Sequence, residues 1–353
     1  MPSNVTATAE VVPTDRIRAY PALRLMGSKH RLLPWLGGIL SGLPFETALD
    51  AFSGSGCVSY LLKTMGKRVV ANDFLRFPAT IAKATVENSS VVLDADDVAS
   101  LIAPTRGHAR FIERTFRGIF FTPTDLRFLD HAWANVRRMH DPYRRALALS
   151  ALIRSCAKRQ PRGVFTVAGD PARYKDGRRD LGLSIEAHFK EQVAAYNGCV
   201  FDNGRRNMAR TGDVFEVDPR GLDLVYLDPS YVPRADDNCY VKRYHFLEGL
   251  ACYWEGLEVL PETKVKKIAK PFTPFSYRHT ALAAFEGLFE RFRRSIIVLS
   301  YSSNGFPDLD VLVAAMKRHK ARIEVHERDH RYHFGTHDRV RRAEAREYLV
   351  VGR

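Results

Sequence analysis

The apolar run Leu222-Asp223-Leu224-Val225-Tyr226-Leu227 stops on Asp228-Pro229-Ser230-Tyr231. A run this short and this apolar reads as a strand buried on both faces. The proline has a fixed φ and no N–H, so the ladder cannot continue through it. The segment thus sets a carboxylate, a rigid carbonyl and an aromatic ring at the C-terminal edge of a sheet, where open α/β sheets bind their ligands. A carboxylate there can accept hydrogen bonds from an exocyclic amine, and a tyrosine can stack on a flat base. That chemistry suits a group acting on an extruded adenine or cytosine. A plain turn capped by the acid would use the same residues.

Two upstream segments have the same character. Residues 47–52 read as a strand, Ser53-Gly54-Ser55-Gly56 follows at once, and residues 57–65 look helical. Glycines between a strand and a helix let the backbone come close to a ligand, and the helix start offers free N–H groups. The spacing lacks the third glycine of the dinucleotide fingerprint and the Gly-Lys-Ser/Thr of a P-loop. Next, Lys67-Arg68-Val69-Val70-Ala71-Asn72-Asp73 gives a short strand ending in an acid. An acid at that point can accept both hydroxyls of a ribose or cap a helix.

In this order the segments resemble the D12 class of S-adenosylmethionine-dependent DNA adenine-N6 methyltransferases, the family that includes the Dam methylases. Arg24-Leu25-Met26-Gly27-Ser28-Lys29 with Arg31 resembles its N-terminal cofactor motif, and Asp50-Ala51-Phe52-Ser53-Gly54-Ser55-Gly56 its glycine motif. Asn72-Asp73 resembles the ribose-binding acid, and Gly212-Asp213-Val214-Phe215 the segment that meets the cofactor's adenine. Asp228 to Tyr231 resembles the catalytic Asp-Pro-Pro-Tyr, with Ser230 where the family usually has a second proline. Leu299-Ser300-Tyr301-Ser302-Ser303-Asn304 resembles the later strand and loop that line the pocket.

The resemblance implies S-adenosyl-L-methionine as cofactor and methyl transfer to adenine N6 in double-stranded DNA, after base flipping, by direct in-line attack. It implies that the Asp228 side chain and the Pro229 carbonyl receive the target amine, that Ser230 loosens the loop, and that Tyr231 stacks on the base. It places Lys29 and the Gly27 backbone at the methionine end of the cofactor, and Phe52, Gly54, Ser55 and Gly56 in the loop that approaches it. Asp50 is a candidate for the cofactor's ammonium or a cap for its own loop. Asp73 is assigned to the ribose, Asp213 and Val214 to the cofactor's adenine. RNA adenine, cytosine N4 and a non-catalytic DNA-binding protein that keeps the fold stay open as alternatives.

Composition agrees with a nucleic-acid partner. The net charge is +14, and so basic a protein commonly meets a polyanion. Five scattered cysteines without a C-x-x-C pair suit a reduced, cytoplasmic setting and neither a disulfide framework nor a zinc site. No apolar run approaches the roughly 18 residues of a membrane span, so no membrane association is expected. His326, His330, His333 and His337 lack an H-E-x-x-H pattern or a cysteine partner, so no metal is expected.

Strands alternating with helices predict an α/β protein: a Rossmann-like class I methyltransferase mixed sheet with an inserted, mainly helical target-recognition domain. The expected divisions are a flexible N-terminal tail (1–19), a catalytic domain (20–77 and 193–353) and the inserted DNA-binding domain (78–192). The last two strands, 322–328 and 347–351, are expected to pair antiparallel. Within the insertion a helix is expected over 141–159, with Leu147, Leu149, Leu152 and Ile153 on its apolar face. Lys158, Arg159, Arg162, Arg173, Lys175, Arg178 and Arg179 follow among aromatic and turn residues, a mixture suited to phosphates and base edges. A cognate restriction endonuclease is an open second partner, since protection from restriction and regulatory methylation fit the sequence equally.

The charge has a direct consequence. Affinity for double-stranded DNA should fall by roughly 10³ between about 50 and 200 mM salt if six or so phosphates are neutralised. A flat salt profile in a titration would show that the basic composition has another cause.

Overall fold

The computed structural model describes residues 15–169, 177–230, 232–233, 239–331 and 344–353. Among them run nine strands: β1 (Thr47–Asp50), β2 (Arg68–Asp73), β3 (Met208–Thr211), β4 (Leu224–Leu227), β5 (Val232–Pro233), β6 (Ile296–Ser302), β7 (Gly305–Phe306), β8 (Ile323–Arg331) and β9 (Glu344–Gly352). Seven form one sheet in the order β3-β2-β1-β4-β6-β9-β8, and β5 and β7 pair separately. The five strands from β3 to β6 are parallel, whereas β9 runs antiparallel between β6 and β8. The expected antiparallel pair at the end of the chain is therefore β8 with β9.

The sheet is buried on both faces, and its side chains sort with a period of two. Ala48, Val69, Leu224, Tyr226, Val298 and Leu349 belong to one apolar cluster, with Leu36 and Leu61 from the helices Leu33–Ser41 and Cys57–Thr64. Their neighbours Leu49, Val70, Val225, Leu227, Ile297, Leu299 and Val350 belong to another, with Phe285 and Leu312 from the helices Arg278–Arg291 and Leu309–Lys317. Helices on both faces explain why β4 is apolar at every position, as parallel sheets require.

A third apolar cluster is helical. Between residues 78 and 192 the described residues contain helices and no strand. The helix Pro142–Arg159 begins where Asp141 accepts the N–H groups of Tyr143 and Arg144, with proline in its first turn. It buries Leu147, Leu149, Leu152 and Ile153, the face its sequence predicts. This cluster also takes in Phe246, Leu247 and Leu250 of the helix Tyr240–Cys252, which follows β4 in the chain. The insertion and the segment after β4 thus share one core.

Chain order leaves β1 in opposite directions, to β2 and β3 on one side and to β4 and β6 on the other. A crevice opens beyond the C-terminal ends of strands at such a reversal. Asp50 ends β1 and Asp73 ends β2, while Asp228 directly follows β4. Among the described residues no helix is long and apolar enough to cross a membrane.

Candidate active site

The loop after β1 is held from both sides. Gly54 and Gly56 have φ of +50° and +76°, a left-handed region that glycine enters without a steric penalty. At Gly56 a Cβ would lie 2.6 Å from the Tyr20 hydroxyl, which donates to the Ser55 carbonyl at 2.8 Å. From β2, Asn72 accepts the Ser53 N–H on its carbonyl at 2.8 Å, and its side-chain amide donates to the Ala51 carbonyl at 3.0 Å. Asp73 accepts the N–H of Gly54 at 2.8 Å and that of Leu75 at 2.9 Å.

The N-terminal turn is clamped by tyrosines from the helix Tyr240–Cys252. The Tyr240 hydroxyl donates to the Met26 carbonyl at 2.5 Å, and the Tyr244 hydroxyl accepts the Met26 N–H at 2.7 Å. One residue is gripped at both its backbone polar groups. Gly27 follows at φ +71°, where a Cβ would press on the Tyr240 hydroxyl. Lys29, 4% exposed, then projects its ammonium inward, 2.9 Å from the Gly27 carbonyl and 3.0 Å from Asp228 Oδ1.

These elements surround one cleft, whose empty volume, counted out to solvent, is about 1200 Å³. Of the expected residues, Gly27, Lys29, Asp50, Phe52, Gly54, Ser55, Asp73, Asp213, Val214, Asp228 and Ser230 line it together. Gly56 stands behind the loop as the N-cap of the helix Cys57–Thr64. Pro229 holds the backbone between two lining residues, and Tyr231 lies outside the described residues. Asp213 accepts the Phe215 N–H on Oδ1 at 2.9 Å.

Burial dominates the electrostatics. The Asp50 carboxyl is pushed up to about 7 by burial, with Asp228 and Asp73 adding to it and a Ser59 hydroxyl at 2.6 Å opposing. Its Oδ1 is buried and meets no well-formed hydrogen-bond donor among the described residues. Burial raises Asp73 to about 6 against three backbone N–H groups. It raises Asp228 to about 6 as well, against the pull of Lys29.

Other lining residues carried no cofactor signal in the sequence. The segment Lys270-Pro271-Phe272-Thr273-Pro274-Phe275 walls the cleft. Phe272 is 63% exposed and stacks on Tyr277, with the Lys270 ammonium over the Tyr277 ring. Phe275 meets Phe52 edge-on and stacks parallel to Phe215. A Pro-x-x-Pro loop bearing two phenylalanines was the available cue.

The basic residues are placed unevenly. Arg162 is exposed. Lys158 pairs with Asp180 at 3.0 Å, Arg179 with Glu191, and Arg178 donates to the Pro161 carbonyl. Arg159 is buried, with its guanidinium 3.5 Å from Asp125, and faces no solvent. Arg173 and Lys175 lie outside the described residues. The segment carrying Arg162 is moored to the helix Tyr240–Cys252: Phe165 donates its N–H to the Arg243 carbonyl at 2.8 Å, and His245 Nε2 lies 2.9 Å from the Phe165 carbonyl. His326 lies in β8, the His330 side chain is not described, and His333 and His337 are outside the described residues.

Known proteins are similar in sequence to this chain. A family model described as D12 class N6 adenine-specific DNA methyltransferase matches residues 26–270. The chain is 30% identical over 331 residues to the type II methyltransferase M2.HphI of Haemophilus parahaemolyticus, covering 89% of this chain and 92% of that one. It is 24% identical over 322 residues to the modification methylase StsI of Streptococcus sanguinis, and 27% over 329 to the modification methylase LlaI of Lactococcus lactis subsp. lactis. Each match covers 84% of this chain but 46% and 49% of those longer relatives.

Keeping Asp50 buried and ionised weakens the fold, with a definite sign. With a folded pKa near 7, Asp50 binds its proton more tightly in the native state than unfolded, so its contribution to stability is lost as pH rises from about 4 through 7. Asp50→Asn should therefore raise Tm over the parent more at pH 8 than at pH 5. An equal gain at both pH values, or none, would show that the carboxyl titrates normally.

Proposed function

The chain belongs to the D12 class N6 adenine-specific DNA methyltransferases, and from that premise we propose that it methylates N6 of a specific adenine, extruded from double-stranded DNA, using S-adenosyl-L-methionine. One observation carries this reading: a single cleft holds an acid-and-glycine cradle at the ends of β1 and β2 and the Asp228 carboxylate at the end of β4.

When bound, S-adenosyl-L-methionine supplies a methyl group already activated on a sulfonium. The cradle fits such a group. Asp50 Oδ1, buried and without a good donor, would receive the ammonium. Gly54, where a Cβ would meet Leu25 at 3.2 Å, keeps the loop low enough for close approach, beside Ser55, Phe52 and the Gly27 backbone. Asp73 accepts backbone N–H groups on both oxygens, and its remaining lone-pair capacity would take a ribose hydroxyl. Asp213 caps its own turn through Oδ1, which leaves Oδ2 for the adenine amine beside Val214.

At the other end, the target amine is a poor nucleophile because its lone pair is delocalised into the ring. Asp228 and the Pro229 carbonyl would accept its two N–H groups and free the lone pair for in-line attack. As N6 bonded to the methyl carbon and the methyl–sulfur bond broke, leaving a neutral thioether, positive charge would build on N6 and both hydrogen bonds would strengthen. The proton that N6 then sheds passes to the Asp228 carboxylate or to water. Tyr231 would stack on the extruded base, which offsets the few kcal/mol of unstacking. Ser230, facing the cleft in place of a second proline, leaves both acceptors intact.

The helical unit over 78–192 is proposed as the target-recognition domain, sharing its core with the helix Tyr240–Cys252. Exposed Arg162, with Lys158, Arg178, Arg179, Arg173 and Lys175, would track phosphates and base edges. Arg159 would have to leave Asp125 to join them. Pairing with a cognate restriction endonuclease is part of this reading, supported by the names of the type II and modification methylase relatives.

Asp228→Asn keeps the shape but turns one acceptor into a donor. It should lower kcat by about 10²-fold or more, while calorimetric affinities for cofactor and DNA stay within a few-fold. Turnover within tenfold of the parent would remove Asp228 from the chemistry.

A further inference from the structure

We infer that Lys29 is a positioning residue for the acceptor carboxylate: it holds Asp228 ionised and aimed, while Glu347 shares its charge from the far side. The inference rests on the reading of Asp228 given above.

Three separate elements meet at this ammonium. Lys29 stands on the short turn Lys29–Leu32, Asp228 at the end of β4, and Glu347 within β9. The Nζ atom lies 3.0 Å from Asp228 Oδ1, 2.9 Å from the Gly27 carbonyl and 3.9 Å from Glu347 Oε2. Lys29 is 4% exposed and Glu347 1%. An ammonium carries three donors, and here three oxygens surround it, two at hydrogen-bond distance and one at ion-pair distance. So deep a charge persists only when paired. With donors engaged by Gly27 and Asp228, Lys29 serves the acceptor end of the cleft.

The chemistry explains why a cation is needed there. Ionised, Asp228 is purely an acceptor; protonated, it becomes a donor and can no longer take the amine N–H in the same way. Its carboxyl sits in a crowded acidic corner. Asp50 from β1, Glu347 from β9, Tyr226 from β4 and Cys57 at the start of the next helix are its titratable neighbours, and Lys29 is the cation among these groups. Burial lifts the Asp228 pKa, Lys29 opposes that lift, and Glu347 adds to it. With Oδ1 engaged by Lys29, Oδ2 would be the oxygen that receives the substrate amine. The Met26 clamp and the positive φ of Gly27 fix the backbone from which the lysine reaches.

Opposite charge deletions should move Asp228 in opposite directions. In Lys29→Met the acid limb of the kcat–pH profile should rise by about one unit or more, and kcat at pH 7 should fall about tenfold or more. Its affinity for S-adenosyl-L-methionine should stay within about threefold of the parent. In Glu347→Gln the limb should move to lower pH, and Lys29→Arg, which keeps the charge, should hold it near the parent's position. The same shifts should appear without turnover, by titrating ¹³C-labelled aspartate and identifying Asp228 by its loss in Asp228→Asn. That readout separates failure of this inference from failure of the catalytic reading. Should Lys29→Met not fold, the other two variants and the direct titration still decide. Lost cofactor affinity in Lys29→Met with an unmoved Asp228 titration, or a Glu347→Gln shift upward or absent, would overturn the inference.

Discussion

The site depends on one constraint: three parallel strands end side by side in acids that the fold buries. Asp50, Asp73 and Asp228 lie at the C-terminal ends of β1, β2 and β4, and burial raises all three carboxyls. Carboxylates in low dielectric are costly unless something compensates them. Here the compensation is supplied unevenly. Asp73 spends its oxygens on backbone N–H groups, Asp228 has Lys29, and Asp50 has the Ser59 hydroxyl with a smaller contribution from the Phe52 backbone. The least compensated acid is the one proposed to meet a cationic headgroup, and the ion-paired acid is the one proposed to meet a neutral amine.

Rigidity around these acids comes from contacts that cross the chain. The glycine loop is tied to β2 by Asn72 and Asp73, and to the N-terminal segment by Tyr20. The turn that delivers Lys29 is held by Tyr240 and Tyr244, whose helix belongs to the same apolar core as the helical insertion. The glycine loop, the turn bearing Lys29 and the helical unit proposed to meet DNA are therefore linked through this helix.

Much of this was legible in the sequence because its signals are local. An apolar strand stopped by Asp-Pro, a Gly-x-Gly loop and a strand ending in Asn-Asp each carry their chemistry within a few residues, and the structure brings them to one cleft. The apolar face of the helix Pro142–Arg159 was equally readable from its periodicity. What could not be read depends on partners far apart in the chain. Nothing near Lys29 announces Asp228, and a single glutamate in β9 gives no hint that it faces them. The Met26 clamp spans 218 residues to Tyr244. Arg159 looked like its basic neighbours until the helix phase turned it inward onto Asp125.

The central claim is that this cleft joins a sulfonium methyl donor to the amine of an adenine in DNA. The direct measurement incubates the purified protein with labelled S-adenosyl-L-methionine and unmethylated double-stranded DNA, digests the product and identifies the labelled nucleoside by mass spectrometry. Label in N6-methyladenine is the result this account predicts. Label in N4-methylcytosine, label only when RNA is the acceptor, or no label although the cofactor binds, would contradict it.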